Sequence, residues 1–451
     1  MEHPLMESAA TVTNLTSDSG TANDVVRQVG PCRVCGRRDW LDVISFGPTE
    51  LANGFLDPAP QYPAEPRYPL DVVVCRGCWL MCLRDIVDPE VLFGHYVYVS
   101  QDSAGLTRHM RQVVDWCTGQ PGVTPGQLVV ELGSNIGSQL ALFADAGMRV
   151  VGIDPARNLA QVANDRGVET IADFFGPGVA SSIAQDKGKA ALVLGRQCFA
   201  HIDDVHNVLN GVEAVLAEDG TLVIEVPYLV DLLDQNQFDT IFHEHLSYYS
   251  VGTLCVLFAS HGLRVVDVKR ANVHGGSIVV FAARSTTGRQ PEPAVAEVLA
   301  LESERGLSTE RPYLDLAART KAMTGEIRSL VRELVADGKR VAGYGAPSKG
   351  CTLLQMCRLG RDDIEFCSDT TPLKHGKVLP GTHIPVVSPE EAKRLAPDYY
   401  LLLAWNYADD IIRNEQAFLA AGGRFIVPIP QPRIVSAPEA VVSAPEAKVA
   451  R

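Results

Sequence analysis

Residues 242–249 of this chain place two imidazoles and one carboxylate at three consecutive positions, His243, Glu244 and His245. Histidine titrates near neutral pH, and an adjacent carboxylate can orient its ring or raise its basicity. The cluster follows an apolar run at residues 222–226 that is typical of a strand. The three side chains therefore have the parts of a general base, and the alternative is a polar loop with two unrelated histidines.

The spacing of these histidines differs from that of the helical His-Glu-x-x-His zinc site, in which histidines four residues apart share one helix face. His243 and His245 stand at positions i and i+2, so they share a face only if the backbone is extended. The cluster indicates acid–base chemistry, and the metal-ligating residues are expected elsewhere.

Two Cys-x-x-Cys pairs near the N-terminus have the spacing of metal-ligating knuckles. Four thiolates at about 2.3 Å from the ion form a closed, tetrahedral structural zinc site. The alternatives are a redox dithiol or free cysteines, but a redox Cys-x-x-Cys usually stands alone before a helix. Cys82 is expected to be a packed apolar thiol. The predicted zinc ligands are Cys32, Cys35, Cys75 and Cys78.

A glycine-containing turn after the predicted strand at residues 128–131 has the pattern of a nucleotide-type site. Glycines let a ligand approach the backbone, and the following helix offers free N–H groups. Asp154 ends the next strand, where a carboxylate suits the two hydroxyls of an adenosine ribose. The Glu131 carboxylate suits the cationic methionine end of S-adenosylmethionine and would repel a dinucleotide pyrophosphate, so the methyl donor is favoured over a dinucleotide. The alternative of a purely structural turn is disfavoured by Asp154. The predicted donor-binding residues are Glu131, Gly133, Ser134, Asn135, Gly137 and Asp154.

Composition narrows the class of protein. The chain has 451 residues, 46% of them hydrophobic and 21% charged, and a net charge of -14. That balance argues against nucleic-acid binding and offers no basic stripe for a membrane surface. No apolar run is long enough to span a bilayer. Eleven cysteines without a secretory signal favour reduced thiols and a cytoplasmic location.

Alternation of strand-like and helix-like segments predicts an α/β protein with parallel sheets. One long helical stretch is expected at about residues 296–337, followed by a second, smaller α/β unit. A duplicated Ala/Pro/Glu-rich hexapeptide near the C-terminus is typical of a disordered tail. The predicted units are a disordered leader at 1–28, a zinc-binding domain at 29–100, a central Rossmann-like methyltransferase domain at 101–285, a C-terminal Rossmann-like domain at 286–434 and a disordered tail at 435–451.

The C-terminal unit contains a second candidate loop, at residues 343–350, which follows a strand and opens a helix. Its amides and Lys349 could hold a pyrophosphate, while His383, Trp405 and Asn406 follow later strands of the same sheet. The nucleotide half of a substrate could dock there. The alternative is a Rossmann-like unit that serves packing or dimerisation only.

Many motifs occur in one order along the chain, and together they resemble the zinc-containing sugar C-methyltransferases of antibiotic deoxysugar pathways. The resemblance spans residues 32–430. The motifs are the two cysteine pairs, Tyr96-Val-Tyr98, Glu131-Leu-Gly-Ser-Asn135, Phe199-Ala-His201, the 243–245 cluster, His274-Gly-Gly-Ser277 and residues 343–350, 379–385, 404–406 and 422–428.

This resemblance implies an enzyme that uses S-adenosylmethionine and a structural zinc ion. Its substrate would be a dTDP-linked 4-keto-deoxysugar lying between the domains, and the protein would be a monomer or homodimer. A base removes the proton alpha to the ketone, and the enolate carbon attacks the methyl group of the sulfonium. The implied catalytic residues are His245 as base, Glu244 orienting it, and His201 with Tyr96 or Tyr98 as donors; the implied substrate contacts are His243, Tyr344, Lys349, His383, Trp405 and Asn406.

Several alternatives stay open. His201 could be a helix-start residue, and the two tyrosines could be packing at a domain boundary. Three positions depart from the family pattern, Phe242 for a tyrosine, Ile136 for an acid and Gln197 for an asparagine. These departures leave room for a non-sugar acceptor, and a non-catalytic zinc scaffold or a nicotinamide oxidoreductase are the remaining alternatives.

Overall fold

The computed structural model describes residues 25–93 and 104–436. Tyr96 and Tyr98, two of the predicted donors, lie outside the described residues, as do the predicted leader up to residue 24 and most of the predicted tail.

The N-terminal unit is built of antiparallel strands around the cysteine pairs. Cys32 and Cys35 lie in a loop before the first long strand, and Cys75 ends the next. The elements are β1 (Val26–Gln28), β2 (Trp40–Thr49), β3 (Tyr68–Cys75), β4 (Met81–Leu83), β5 (Asp85–Val87) and α1 (Pro89–Phe93). Strands β2, β3 and β4 pair side by side, and β1 pairs with β5.

The central unit is a seven-stranded sheet flanked by helices, as the alternating pattern predicts. The sheet order is β12-β13-β10-β9-β6-β7-β8, in which β13 is antiparallel to both of its neighbours. The elements are α2 (Ala104–Thr118), β6 (Leu128–Leu132), α3 (Ser138–Asp145), β7 (Arg149–Ile153), α4 (Arg157–Asp165), β8 (Thr170–Ile171), α5 (Pro177–Lys187), β9 (Ala190–Arg196), α6 (Val205–Val215), β10 (Leu216–Pro227), α7 (Leu229–Gln235), β11 (Ser247–Tyr248), α8 (Val251–Ala259), β12 (Leu263–Ala271) and β13 (Ser277–Arg284).

The long helical stretch predicted at 296–337 is divided in two. Gly306, with a φ of 69°, lies between the two helices and lets the chain turn. The C-terminal elements are α9 (Pro293–Glu304), α10 (Arg311–Ala336), β14 (Val341–Tyr344), α11 (Ser348–Cys357), β15 (Cys367–Ser368), β16 (Val386–Val387), α12 (Pro389–Leu395), β17 (Tyr399–Leu402), α13 (Ala408–Asn414), α14 (Gln416–Ala420), β18 (Arg424–Val427) and β19 (Arg433–Val435). Their six strands form a second sheet in the order β16-β15-β14-β17-β18-β19.

The short strand β11 connects the central unit to the N-terminal sheet. Ser247 pairs with Cys82 and Tyr248 pairs with Met81, which makes β11 the fourth strand of that sheet. The segment that carries His245 therefore ends in the sheet of the N-terminal unit (residues 25–93), which is called the zinc block below. Within residues 25–93 and 104–436, no helix is long and apolar enough to cross a membrane.

Candidate active site

The four predicted metal ligands converge. The Sγ atoms of Cys32 and Cys78 are 3.6 Å apart and those of Cys35 and Cys75 are 3.5 Å apart, and all four lie within 4.8 Å of one another. A tetrahedral ion with bonds of about 2.3 Å places its sulfur ligands about 3.8 Å apart. The thiol cluster therefore fits a structural zinc ion that these four cysteines would hold.

The donor-site loop follows β6 in a conformation that requires glycine. Gly133 and Gly137 have φ values of 63° and 76°. A Cβ atom at Gly133 would lie 2.7 Å from the Cβ of Cys198, and one at Gly137 would lie 2.9 Å from the side chain of Val168. The loop is therefore packed closely against its neighbours at both glycines.

Asp154 fixes this loop from the end of β7. Its Oδ2 accepts a 2.8 Å hydrogen bond from the Asn135 amide, and its Oδ1 accepts one of 2.9 Å from the Ala156 amide. Burial raises the pKa of Asp154, while the two amide bonds oppose that shift. Two backbone loops at the carboxyl ends of β6 and β7 are thus joined through one carboxylate.

Glu131 is a buried carboxylate in need of a partner. It is 2% exposed, and within the described chain its Oε2 has no hydrogen-bond partner. Burial raises its pKa to about 8, and the nearby Arg196 guanidinium opposes the shift. Among the residues that the structure describes, the buried Ser134 hydroxyl likewise has no hydrogen-bond partner. A cationic ligand would satisfy the carboxylate, so these residues fit the methionine end of S-adenosylmethionine.

The histidine cluster forms a turn and is not extended. The His245 amide donates to the Phe242 carbonyl at 2.9 Å, which closes the turn around residues 243–244. The two imidazoles consequently have different environments. His243 is 3% exposed, and its Nε2 donates to the carbonyls of Tyr68 and Pro69 at 3.1 and 3.2 Å. His243 therefore contacts β3. The substrate contact that the resemblance implies for His243 stays a prediction.

The contacts of His245 fix the tautomer of its ring. Its Nδ1 is 2.8 Å from the Thr240 carbonyl, which can only accept, so Nδ1 carries the proton and Nε2 has a free lone pair. Among residues 241–250, His245 alone is not buried. Desolvation nevertheless holds its pKa well below the usual range, and nearby His201 adds to that effect.

Two aromatic rings flank His245. The ring centroid of His201 is 5.1 Å away, and that of Phe242 is 4.0 Å away with an interplanar angle of 35°. Burial lowers the pKa of His201 to about 4. Both imidazoles are therefore neutral at neutral pH, so one can accept a proton while the other donates a hydrogen bond.

Glu244, predicted to orient His245, contacts the N-terminal unit. Its Oε1 accepts a 2.6 Å hydrogen bond from the Asn53 side-chain amide, and the Asn53 oxygen accepts one of 2.7 Å from the Ser348 hydroxyl. The bond that sets the His245 ring comes from the Thr240 carbonyl. Asn53, which the sequence does not single out, thereby joins all three units at the site.

Lys349 reaches the same region from the C-terminal unit. Its ammonium lies 4.2 Å above the Trp405 ring, whose Nε1 donates to the buried Asp239 carboxylate at 2.6 Å. Burial lowers the pKa of Lys349. The same ammonium lowers the pKa of His245, which indicates that these two groups are near each other. Within the described chain, Lys349 makes no ion pair with a distance of 4.0 Å or less.

The remaining predicted substrate contacts are distributed over the C-terminal unit. The Tyr344 hydroxyl donates to Glu415 at 2.8 Å. His383 bonds to Glu65 at 2.6 Å and stacks on Tyr62 with ring centroids 4.0 Å apart, so it contacts the zinc block. Asn406 lies beside Trp405 in a short 3-10 helix (Trp405–Tyr407). The structure brings Lys349 and Trp405 towards His245, and it engages Tyr344 and His383 elsewhere.

A second buried carboxylate, Glu225, lies near Glu131. It is fully buried at the end of β10, and its Oε1 accepts from His109 at 3.0 Å and from the Gln197 side-chain amide at 2.8 Å. Gln197 has a left-handed φ of 56° and also donates to Ser277 at 3.1 Å. These partners are distant in sequence, so no local pattern indicates the network.

An open cleft of about 1120 Å³ lies apart from these residues. It is lined by β2, by α10 and by the end of α11, with Arg67, Lys321 and Arg358 among its charged residues. None of the predicted site residues lines it.

Together, the Rossmann-like sheet, the loop with its buried acids and the thiol cluster define a methyltransferase with a zinc-binding domain. Three family models match the chain, and the residues they match correspond to these units. They are described as "Putative zinc binding domain" at residues 32–93, "Methyltransferase domain" at 122–268 and "C-methyltransferase C-terminal domain" at 272–430.

The chain is also 61% identical over 414 residues to the C-methyltransferase NovU of Streptomyces niveus, a match that covers 92% of this chain and 99% of that protein. The chain belongs to the zinc-binding C-methyltransferase family, and it is an S-adenosylmethionine-dependent C-methyltransferase.

Solved structures resemble part of the chain, and only distantly. Magnesium protoporphyrin IX methyltransferase from Synechocystis PCC 6803, with bound SAM, matches 40% of this chain and 80% of its own at 15% identity and a TM-score of 0.31. The PH0226 protein from Pyrococcus horikoshii OT3 matches 42% of this chain and 94% of its own at 15% identity and a TM-score of 0.33. Likeness at this level carries no argument about the substrate or the site.

Proposed function

We propose that this enzyme methylates the carbon alpha to the ketone of a nucleotide-linked, dTDP-type deoxy-ketosugar in secondary-metabolite biosynthesis. One observation supports this proposal above all others. The His245 ring donates its Nδ1 proton to the Thr240 carbonyl, and its Nε2, without a hydrogen-bond partner in the described chain, lies beside a second neutral imidazole, His201. That arrangement suits removal of a weakly acidic carbon-bound proton.

The proposed reaction proceeds through an enolate. Nε2 of His245 takes the α-proton, and the C–H electron pair moves into the ketone to form the enolate. A hydrogen bond from the neutral His201 ring stabilises the developing oxyanion. When bound, the donor supplies an electrophilic methyl group on a sulfonium. The enolate carbon takes that methyl group, the S–CH3 electron pair stays on sulfur, and His245 is left protonated until the proton passes to water.

Glu131, Asp154 and the glycine loop would position the donor. The unpartnered, buried Glu131 carboxylate would pair with the cationic methionine end, and Asp154 would face the ribose hydroxyls. The glycines allow the loop to pack closely against Cys198 and Val168, which fixes its course at the carboxyl ends of β6 and β7.

The nucleotide half of the substrate would dock on the C-terminal unit. The chain carries a net charge of -14, so an anionic diphosphate needs a local cation. Lys349, at the start of α11, supplies one that makes no ion pair within the described chain. Lys349 lies above the Trp405 ring and near His245, so it would connect the proposed nucleotide site with the proposed base.

The proposal is tested by turnover. Enzyme, S-adenosylmethionine and a dTDP-4-keto-6-deoxysugar are incubated, and carbon-bound methyl in the product is identified by NMR and mass spectrometry. The same sugar without its nucleotide is the control and should react poorly. Absence of methylation, together with no thermal stabilisation by any dTDP ligand, would reject the sugar proposal.

Phe242 favours one second candidate, a non-sugar acceptor. Its apolar ring lies 4.0 Å from His245, so it presents a flat hydrophobic surface beside the proposed base. A planar ketone from another secondary metabolite would suit that surface. Methylation of such a ketone with no dTDP binding would select this candidate.

A further inference from the structure

We infer that Arg33, inside the first zinc knuckle, is a positioning residue that holds the loops of His201 and His245 in register. The inference rests on the proposed roles of these two histidines. Arg33 lies between the zinc ligands Cys32 and Cys35, and it is only 7% exposed. A guanidinium buried to this extent needs several acceptors in fixed directions.

One arm of Arg33 binds the chain directly after His245. Its Nη1 donates to the Leu246 carbonyl at 2.7 Å and to the Ser247 hydroxyl at 2.8 Å. Leu246 also accepts from the amide of Leu83, so the segment is held on the N-terminal sheet. A displacement of Leu246 would move the His245 ring with it, because the two residues are adjacent.

The other arm forms an ion pair, without hydrogen-bond geometry, with the chain just after His201. Nη2 of Arg33 lies 3.2 Å from Oδ1 of Asp203, and Asp203 stands two residues beyond His201. Arg27 pairs with the same carboxylate. A single rigid side chain therefore spans both loops that carry the facing imidazoles.

The separation of the two rings depends on this bridge. Their centroids are 5.1 Å apart, although the residues are 44 positions apart in sequence and lie in different loops. Reactions of this kind are sensitive to placement, and an error of about 1 Å can cost about a hundredfold in rate. The cysteines on both sides of Arg33 fix its backbone, which would transmit the rigidity of the zinc knuckle to the base.

The test compares Arg33→Met with Arg38→Met, since Arg38 is an exposed residue of the same knuckle. Exchange of the substrate α-proton with solvent deuterium and methyl transfer are both measured. Arg33→Met is expected to lower kcat for both by at least about tenfold, with bound zinc, donor affinity and substrate KM unchanged. Arg38→Met should match the unaltered enzyme.

Two further variants separate positioning from folding. Arg33→Lys keeps the charge but cannot reach both loops at once, so it should recover only part of kcat. Asp203→Asn weakens the His201 side without altering the knuckle, and it should lower kcat while zinc stays bound. If Arg33→Met loses its zinc and Asp203→Asn is fully active, the arginine has a folding role only and the inference is wrong.

A substrate-independent measurement keeps this inference distinct from the proposed function. Histidine-selective 15N labelling reports the ring resonances of His201 and His245 directly. Arg33→Met should shift both sets, and Arg38→Met should shift neither. Shifted resonances in an enzyme that is inactive on every ketosugar would support the positioning role and reject the sugar substrate. Unchanged resonances in Arg33→Met would reject the positioning role whatever the substrate.

Discussion

The Asn53 side-chain amide donates a 2.6 Å hydrogen bond to the buried carboxylate of Glu244. Asn53 belongs to the zinc block and Glu244 to the central unit, and the oxygen of the same amide accepts from Ser348 at the start of α11. The turn that carries His245, the zinc block and the C-terminal unit therefore meet at one residue. A substitution at Asn53 should alter the packing of all three.

Asn53→Asp should destabilise the protein. The new carboxylate would face the buried Glu244 carboxylate at hydrogen-bond distance, and repulsion between two like charges would replace a charge-assisted bond. We expect a loss of about 2 kcal/mol or more in the free energy of unfolding, measured by urea titration. Adding Glu244→Gln should restore part of it, because the glutamine amide can donate to the new acid. Equal stability of Asn53→Asp and the unaltered enzyme would show that this contact is dispensable.

The acid limb of the pH profile should lie below pH 6.5. The folded pKa of His245 is lowered by burial and by His201, so its basic form persists at pH values where an ordinary histidine is already protonated. The rate falls only as the pH drops through that lowered pKa. The plot of kcat/KM against pH reports this ionisation in the free enzyme. A limb at or above pH 6.5 would contradict the assignment of the base.

Binding of the donor should release a proton near neutral pH. Burial raises the pKa of Glu131 to about 8, so its carboxyl is mostly protonated at pH 7 in the free enzyme. A cationic ligand favours the ionised form, and affinity should therefore rise as the pH approaches 8. Calorimetry in two buffers of different ionisation enthalpy measures the released proton. Glu131→Gln should abolish the release and the exposed Glu218→Gln should not; release that persists in Glu131→Gln would assign it to another group.

Lys349→Met should weaken binding of the acceptor without weakening binding of the methyl donor. Loss of the ammonium should raise the KM for a nucleotide-linked substrate by about tenfold and leave donor affinity unchanged. It should also move the acid limb of kcat/KM upward, because Lys349 lowers the pKa of His245. The matched control is Lys339→Met, because Lys339 is an exposed lysine shortly after the end of α10. If neither parameter changes, Lys349 does not face the substrate.

The sequence predicts the parts of the site that depend on local pattern. The cysteine ligands come in pairs whose spacing is set by tight turns, and the four thiols converge as expected. Glu131 and Asp154 end neighbouring parallel strands, which necessarily meet at one edge of a sheet. The α/β architecture follows from the same alternation, except that Gly306 divides the long helix.

Contacts between the units are beyond the reach of such patterns. His243 and His383 are of a residue type that often takes part in catalysis or binding. Both contact the zinc block through partners that no sequence spacing indicates. The carbonyl of Thr240, the amide of Asn53 and the guanidinium of Arg33 act on the His245 turn only after the three units have packed. Their contacts arise from tertiary structure, so no sequence spacing indicates them.

The most direct test of the account is the exchange of the substrate α-proton in D2O, in the presence of S-adenosylhomocysteine so that no methyl group can be transferred. His245→Asn can keep the hydrogen bond to Thr240 through its amide while it removes Nε2. The unaltered enzyme should incorporate deuterium at the carbon that is later methylated, and His245→Asn, with zinc and donor still bound, should not. Deuterium incorporation at the unaltered rate in His245→Asn would show that another group removes the proton.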